Sequence, residues 1–392
     1  YNVGLGVNVF GKLTTADENV AIGYNAGGTG ASGDTTGNRN VSIGSHALYK
    51  ITSGTLNVAI GRETMYNNTT GSYNMGIGTY SLYTNTTGGY NVGIGTSSLF
   101  ANTTANYNTA IGHDALKANT TGQYNVSIGS YALDANTTAS SNTAVGYKGL
   151  TANTTGTGNV ALGYNSLLAN TTGANNVGVG KDSLKSTTTG SENVAVGKDA
   201  LRTNTTGGTN TALGRMASYS NTTASNNVSV GNAALYSNTT GTENVAVGTN
   251  TLFGNTTANF NTALGHKALY TNTTASSNTA VGHEALKANT TSSYNTALGA
   301  NALDANTSGE GLNTAIGWNA LTNSTAGKNT AVGAESLEAT TTGEENTAIG
   351  YRSLEGNTTG SYNTGLGDRA LASNTTASNN TAVGNNALVE NT

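Results

Sequence analysis

The sequence predicts an all-β chain, a parallel β-solenoid (β-roll) of about 23 coils of 17 residues. Three observations predict it. An Asn recurs every 17 residues from Asn40 to Asn295, with further anchors at Asn2, Asn19, Asn313, Asn329, Asn346, Asn363 and Asn380. Each anchor opens the same short motif, N-[VTM]-[AGS]-[IVL]-G. The slips in spacing are absorbed locally: it is 18 between Asn295 and Asn313, then 16 to Asn329, so the register returns. An array of this kind is read as stacked coils before anything else is considered. Residues 1–392 are therefore expected to form a single continuous array, with a loop insertion near residues 24–39, where the spacing is 21 and the stretch GGTGASG falls.

Each column of the repeat has an expected place. The motif is too short for a helix and holds β-branched residues, which predicts a strand. Side chains alternate along a strand, so positions one and three after the anchor share a face. The aliphatic third position is expected to be the buried one: Ile60, Ile77, Ile94, Ile111. The small second position is expected to point the other way, toward a closely packed neighbour. The fourth position is Gly in every repeat, which predicts corners needing positive φ or no Cβ at Gly61, Gly78, Gly95 and Gly112. The eighth position is Leu except at Phe10, Gly27, Met65 and Ser218, so Leu82, Leu99, Leu116 and Leu133 are expected to return to the core. Asn-Thr-Thr-Gly then turns the chain toward the next anchor. A stack of 23 coils at about 4.8 Å each would be roughly 105 Å long.

Composition narrows the function. Only 9% of residues are charged, against roughly 25% in ordinary globular proteins. A net charge of -4 gives no footprint for nucleic acid. There is no cysteine or proline, no run of 18 apolar residues that would span a membrane, and no signal-peptide pattern. Gly93-Ile94-Gly95 is not a dinucleotide loop, because a turn follows it where that motif needs a helix. A uniform rod offers no concave site for catalysis, and no catalytic, cofactor-binding or metal-ligating residue is assigned. Asp114, Asp134, Asp182, Glu284 and Glu335 form no recurring pair. His266 and His283 share the fifth column of adjacent coils and are near enough to share a metal. That column also holds Thr, Tyr, Lys and Ala, so it is read as a solvated turn, with Trp318 exposed in it.

Two columns carry the remaining chemistry. Asn68, Asn85, Asn102, Asn119, Asn136, Asn153 and Asn170 each open an N-x-[ST] triplet, either a glycan acceptor or a structural ladder capping the turn. Thr187 and Thr340 replace this Asn without disturbing the spacing. Tyr73, Tyr90, Tyr107 and Tyr124 precede four successive anchors. They predict a tyrosine ladder that either stiffens the rod or forms an adhesive strip for sugars and protein partners.

The motif at Asn57-Val58-Ala59-Ile60-Gly61 and Asn193-Val194-Ala195-Val196-Gly197 resembles the head repeat of YadA-type trimeric autotransporter adhesins. The longer form, with Ala115-Leu116-Lys117-Ala118-Asn119-Thr120-Thr121-Gly122 between motifs, is similar to arrays in surface fibres and phage tail fibres. The resemblance covers essentially the whole chain. It implies a left-handed β-roll wound as a homotrimer, extracellular, non-enzymatic and adhesive, with other fibres or host surface glycans as partners. This repeat is about three residues longer than the family's, and no stalk, neck or anchor barrel is present. The chain opens one residue before an anchor and stops within an Asn-Thr-Thr triplet, so it is read as a segment of a longer fibre. The expectation is a structural or adhesive shaft on a cell surface. The alternatives are a bacteriophage tail-fibre shaft on a virion and an ice-binding solenoid; adjacent threonines, sent to opposite sides of a strand, argue against the last.

Overall fold

The computed structural model describes residues 1–307 and 311–391; within these there is no helix. The chain forms two compact units, residues 1–193 and 194–392. The first holds strands β1 (Val3–Leu5) to β11 (Val177–Val179). The second holds β12 (Val194–Val196) to β23 (Thr381–Val383). Every strand has three residues, and within each unit successive strands pair in parallel, one coil apart. Val58, Ala59 and Ile60 face Met75, Gly76 and Ile77 in the first unit. Thr262, Ala263 and Leu264 face Thr279, Ala280 and Val281 in the second. Each unit is thus a parallel β-solenoid.

The spacing slips leave the register intact. Val20 pairs with Val41 across the 21-residue coil. Thr296 pairs with Thr314, and Thr314 with Thr330, across the coils of 18 and 16. Residues 308–310 of the longer coil, and Thr392 at the expected cut in the last triplet, lie outside the described residues. The insertion folds back onto the coil. Ala26 and Ala31 are buried, Leu13 and Thr35 form a bridge, and Gly27 and Gly28 donate to the carbonyls of Ala47 and Leu48.

The strand's alternation is as expected, but its two faces are exchanged. The second position points inward: Ala59, Ala110 and Ala144 are fully buried. Ile60, Ile77, Ile94 and Ile111 point outward and are only partly buried, so they are not core residues. The reason is room. The strand faces the returning segment of its own coil, where Ala115, Leu116, Ala132 and Leu133 are fully buried. A Cβ on Gly93 would already come within 2.6 Å of Ser81 Oγ. Only Ala, Gly or Ser fits between the two sides, and the large aliphatic residue must turn out.

Leu82, Leu99, Leu116 and Leu133 occupy the core as expected, each fully buried. The exceptions in their column are matched by a neighbour. Phe10 lies against Gly27, where an added Cβ would be 2.9 Å from the ring. Met65 fills the space above Gly76, its Cε 3.1 Å from where a Cβ would sit. Ser218 donates from Oγ to Ser229 Oγ at 2.8 Å.

The corner glycines meet both demands placed on them. At Gly95 φ is 126°, and a Cβ would stand 2.5 Å from the carbonyl oxygen of Gly112. Gly61, Gly78 and Gly112 have φ of 136°, 126° and 136°. A second conformational feature is not announced by residue type. Bulky residues at positions six, eight and sixteen are also left-handed, with φ between 47° and 68°. A left-handed Leu costs roughly 1–2 kcal/mol. Full burial of its side chain returns about 1.5–3 kcal/mol, so the inverted backbone that aims Leu82 or Leu116 inward is sustained by the core it makes.

Candidate functional site

The Asn-Thr-Thr turn folds its amide inward. Asn85 Nδ2 donates to Gly88 O at 2.9 Å, closing the turn, and to Asn68 Oδ1 one coil back at 2.8 Å. The pattern continues at 2.8, 3.1, 3.0, 2.9 and 2.9 Å through Asn102, Asn119, Asn136, Asn153 and Asn170. Asn68 Nδ2 likewise donates to Gly71 O. All seven side chains are fully buried. Nδ2 is the atom a glycan would occupy, and in each it is enclosed and committed. The glycan-acceptor reading of Asn68, Asn85, Asn102, Asn119, Asn136, Asn153 and Asn170 is therefore corrected to the structural ladder. The triplet looks like a surface loop because its two threonines are polar. Yet Thr86 Oγ1 also bonds along the stack, to Thr103 O at 3.1 Å. Where Thr187 interrupts the column, Asn170 Oδ1 has no donor.

A second ladder runs through the anchors. Asn74 donates both its backbone N–H and Nδ2 to Asn57 Oδ1, at 3.0 and 3.2 Å, and Nδ2 also reaches Gly88 O. Buried amides are costly unless paired. Along the anchor column one coil supplies what the next lacks, with Asn278 Nδ2 an exception, and this pairing accounts for the invariant anchor.

Outside, Tyr73, Tyr90, Tyr107 and Tyr124 form the expected ladder. Their centroids are 4.7, 5.0 and 5.3 Å apart and their planes within 12° of parallel. Each ring is about half exposed, Tyr90 at 50%. The ring faces cover one another, so what solvent meets is a row of edges and hydroxyls. Stacking on a sugar needs a free ring face, and between successive members of this ladder those faces are taken up by the neighbouring rings. Two further ladders went unrecognised in the sequence. Tyr49, Tyr66, Tyr83 and Phe100 stack at position nine of the first unit, and Tyr219, Tyr236, Phe253 and Tyr270 at the same position of the second. The signal was present, since each set is spaced by 17.

The sheet presents its first and third positions to solvent. Met75, Ile128 and Leu162 in the first unit, and Leu213, Leu264 and Leu298 in the second, are 37–47% exposed. No residue at these two positions is charged in any of the 23 strands.

Ionisable groups gather at positions five, six and nine. At the sixth position, next to that solvated fifth column, Asp114, Asp182 and Glu335 are largely buried, with Lys117 and Lys185 3.2 Å from the first two. Burial, then the nearby Asp114, raises the Asp134 carboxyl above its ordinary range. Glu335, Glu338 and Glu355 converge, but Arg352 pairs with Glu335 and lies 3.7 Å from Glu355. Trp318 is exposed as expected. His266 and His283 stack at 5.3 Å, and the structure adds Glu284 beside them.

No known family profile matches the sequence, and no curated protein matches it.

Proposed function

We propose that the chain is a non-enzymatic shaft of an extracellular fibre or surface adhesin, in which copies pack side by side through the uncharged outward sheet face. The uncharged outward face carries this reading. Contiguous exposed apolar surface beyond a few hundred Å² marks an interaction site. A three-residue strand is about 10 Å wide and each coil about 4.8 Å high. The outward face of the first unit then measures about 500 Å² and that of the second about 600 Å², with an aliphatic third position throughout and Val, Met or Thr at the first. A standard interface buries about 800 Å² on each partner. A second copy is the occupant that fits, because its ridges repeat with the same rise and meet the same grooves at every coil. The resemblance to YadA-type heads suggests the form of the assembly, three chains in a left-handed winding.

The reading is tested by the mass of the full chain in solution, by light scattering. A multiple of 39.2 kDa is expected, three chains if the resemblance holds. Replacing outward Ile94 and Ile111 with Lys should give monomers with unchanged circular dichroism. A wild-type chain that stays monomeric at high concentration would overturn it.

A further inference from the structure

We propose that His266, His283 and Glu284 form a surface site for a borderline divalent metal such as Zn²⁺ or Cu²⁺. The two histidines follow the corner glycines Gly265 and Gly282, at the fifth position of consecutive coils in the second unit. Stacking of the coils brings the imidazoles face to face, with centroids 5.3 Å apart and planes 24° from parallel. Glu284 is next in the chain. Its backbone N–H donates to His266 O at 3.0 Å, which holds this left-handed residue (φ 57°) against the neighbouring coil. One ligand atom from each of the three side chains then lies within 4.8 Å of the others.

Metal–nitrogen bonds are about 2.0–2.1 Å, which puts ligand atoms of a tetrahedral site about 3.3 Å apart. The cluster must contract by about 1.5 Å at most. Both histidines are exposed, so rotation of their side chains supplies that movement without disturbing the stack. Two imidazoles and one carboxylate select borderline ions over Ca²⁺ or Mg²⁺, which prefer all-oxygen shells. Glu284 has counter-ions already: Lys287 bonds Oε2 at 2.9 Å and Lys267 lies 3.9 Å from Oε1. Oε1 is the available ligand, and competition from the two ammonium groups sets a micromolar rather than a nanomolar affinity. The carboxylate cluster around Arg352 differs here, since it has no imidazole and its cation sits among the ligands. Bound metal would clamp two coils together and keep at least one coordination position open to water or a further ligand.

Isothermal titration of the full chain with Zn²⁺ alone tests the site. One micromolar site per chain is expected. His266→Ala and His283→Ala should each weaken it at least tenfold, and His113→Ala, which removes a histidine with no second imidazole beside it, should leave it unchanged. Glu284→Gln should weaken it severalfold and alter the visible absorption of the Co²⁺-loaded chain, which reports the ligand set directly. Circular dichroism should be the same for all variants, since the histidines bury little. Absence of saturable Zn²⁺ binding, or equal binding by wild type and the His266→Ala/His283→Ala double variant, would overturn the proposal.

Discussion

Asn85 and Tyr90 are five residues apart, repeat with the same period and both looked like outward-facing sites. They end on opposite sides of the wall. Asn85 is fully buried and makes its bonds up the stack and within its own turn. Tyr90 is half exposed and touches its column neighbours through ring faces alone. Periodicity therefore states that a residue stacks, but not on which side. A short polar amide suits the interior because neighbouring coils supply its partners, as Asn68 and Asn102 do for Asn85. The tyrosine ring, much larger, stays outside in a stack of its own. In a wall this thin, size outranks polarity.

The sharpest test of that inside and outside is Leu116→Asp beside Lys117→Ala. The first buries a charge in a fully enclosed position and should cost about 3–5 kcal/mol. The second removes a surface ammonium 3.2 Å from Asp114 and should cost less than about 1 kcal/mol. Chemical unfolding midpoints measure both, and equal losses would mean that the two faces are misassigned. Next comes the pair of columns itself. Asn102→Ala strands the Asn85 acceptor and the Asn119 donor, an expected loss of about 1–3 kcal/mol. Tyr107→Ala gives up two stacking contacts, about 0.5–1.5 kcal/mol each at most. A larger loss at Tyr107 would make the outer ladder the main support.

The smallest effect concerns pH. Burial raises the Asp134 carboxyl, so the folded chain holds this proton more tightly than the unfolded chain does. Stability is then lost as pH rises from the ordinary carboxylate value through the raised one, and the penalty persists at neutral pH. Asp134→Asn should melt slightly higher than wild type at pH 7. The two should coincide below about pH 3, where both states of the wild type are protonated. Thermal melts at the two pH values check this.

Much of the fold was legible because it is periodic. The three-residue strands, the corner at Gly95, the inward Leu116 and the Tyr73–Tyr124 ladder all follow from column identity. The direction of Ile60 and Ile94 did not, since an aliphatic column suits either a core or a sheet face that packs on something else. The deciding quantity was the gap between the two sides of a coil, set by the left-handed backbone at Leu116 and its equivalents. Residue type gives no sign of that conformation, because Leu ordinarily avoids it. The candidate site was only half visible. His266 and His283 announce themselves by spacing, whereas Glu284 joins them only once the turn is built.

The Asn ladder has a direction. From Asn85 to Asn170 every bond runs from the Nδ2 of the later coil to the Oδ1 of the earlier one. Severing the stack along that column would leave an unpaired Asn Oδ1 acceptor on the earlier coil and an unpaired Asn Nδ2 donor on the later one. The column therefore has a polarity of its own and acts as a molecular arrow.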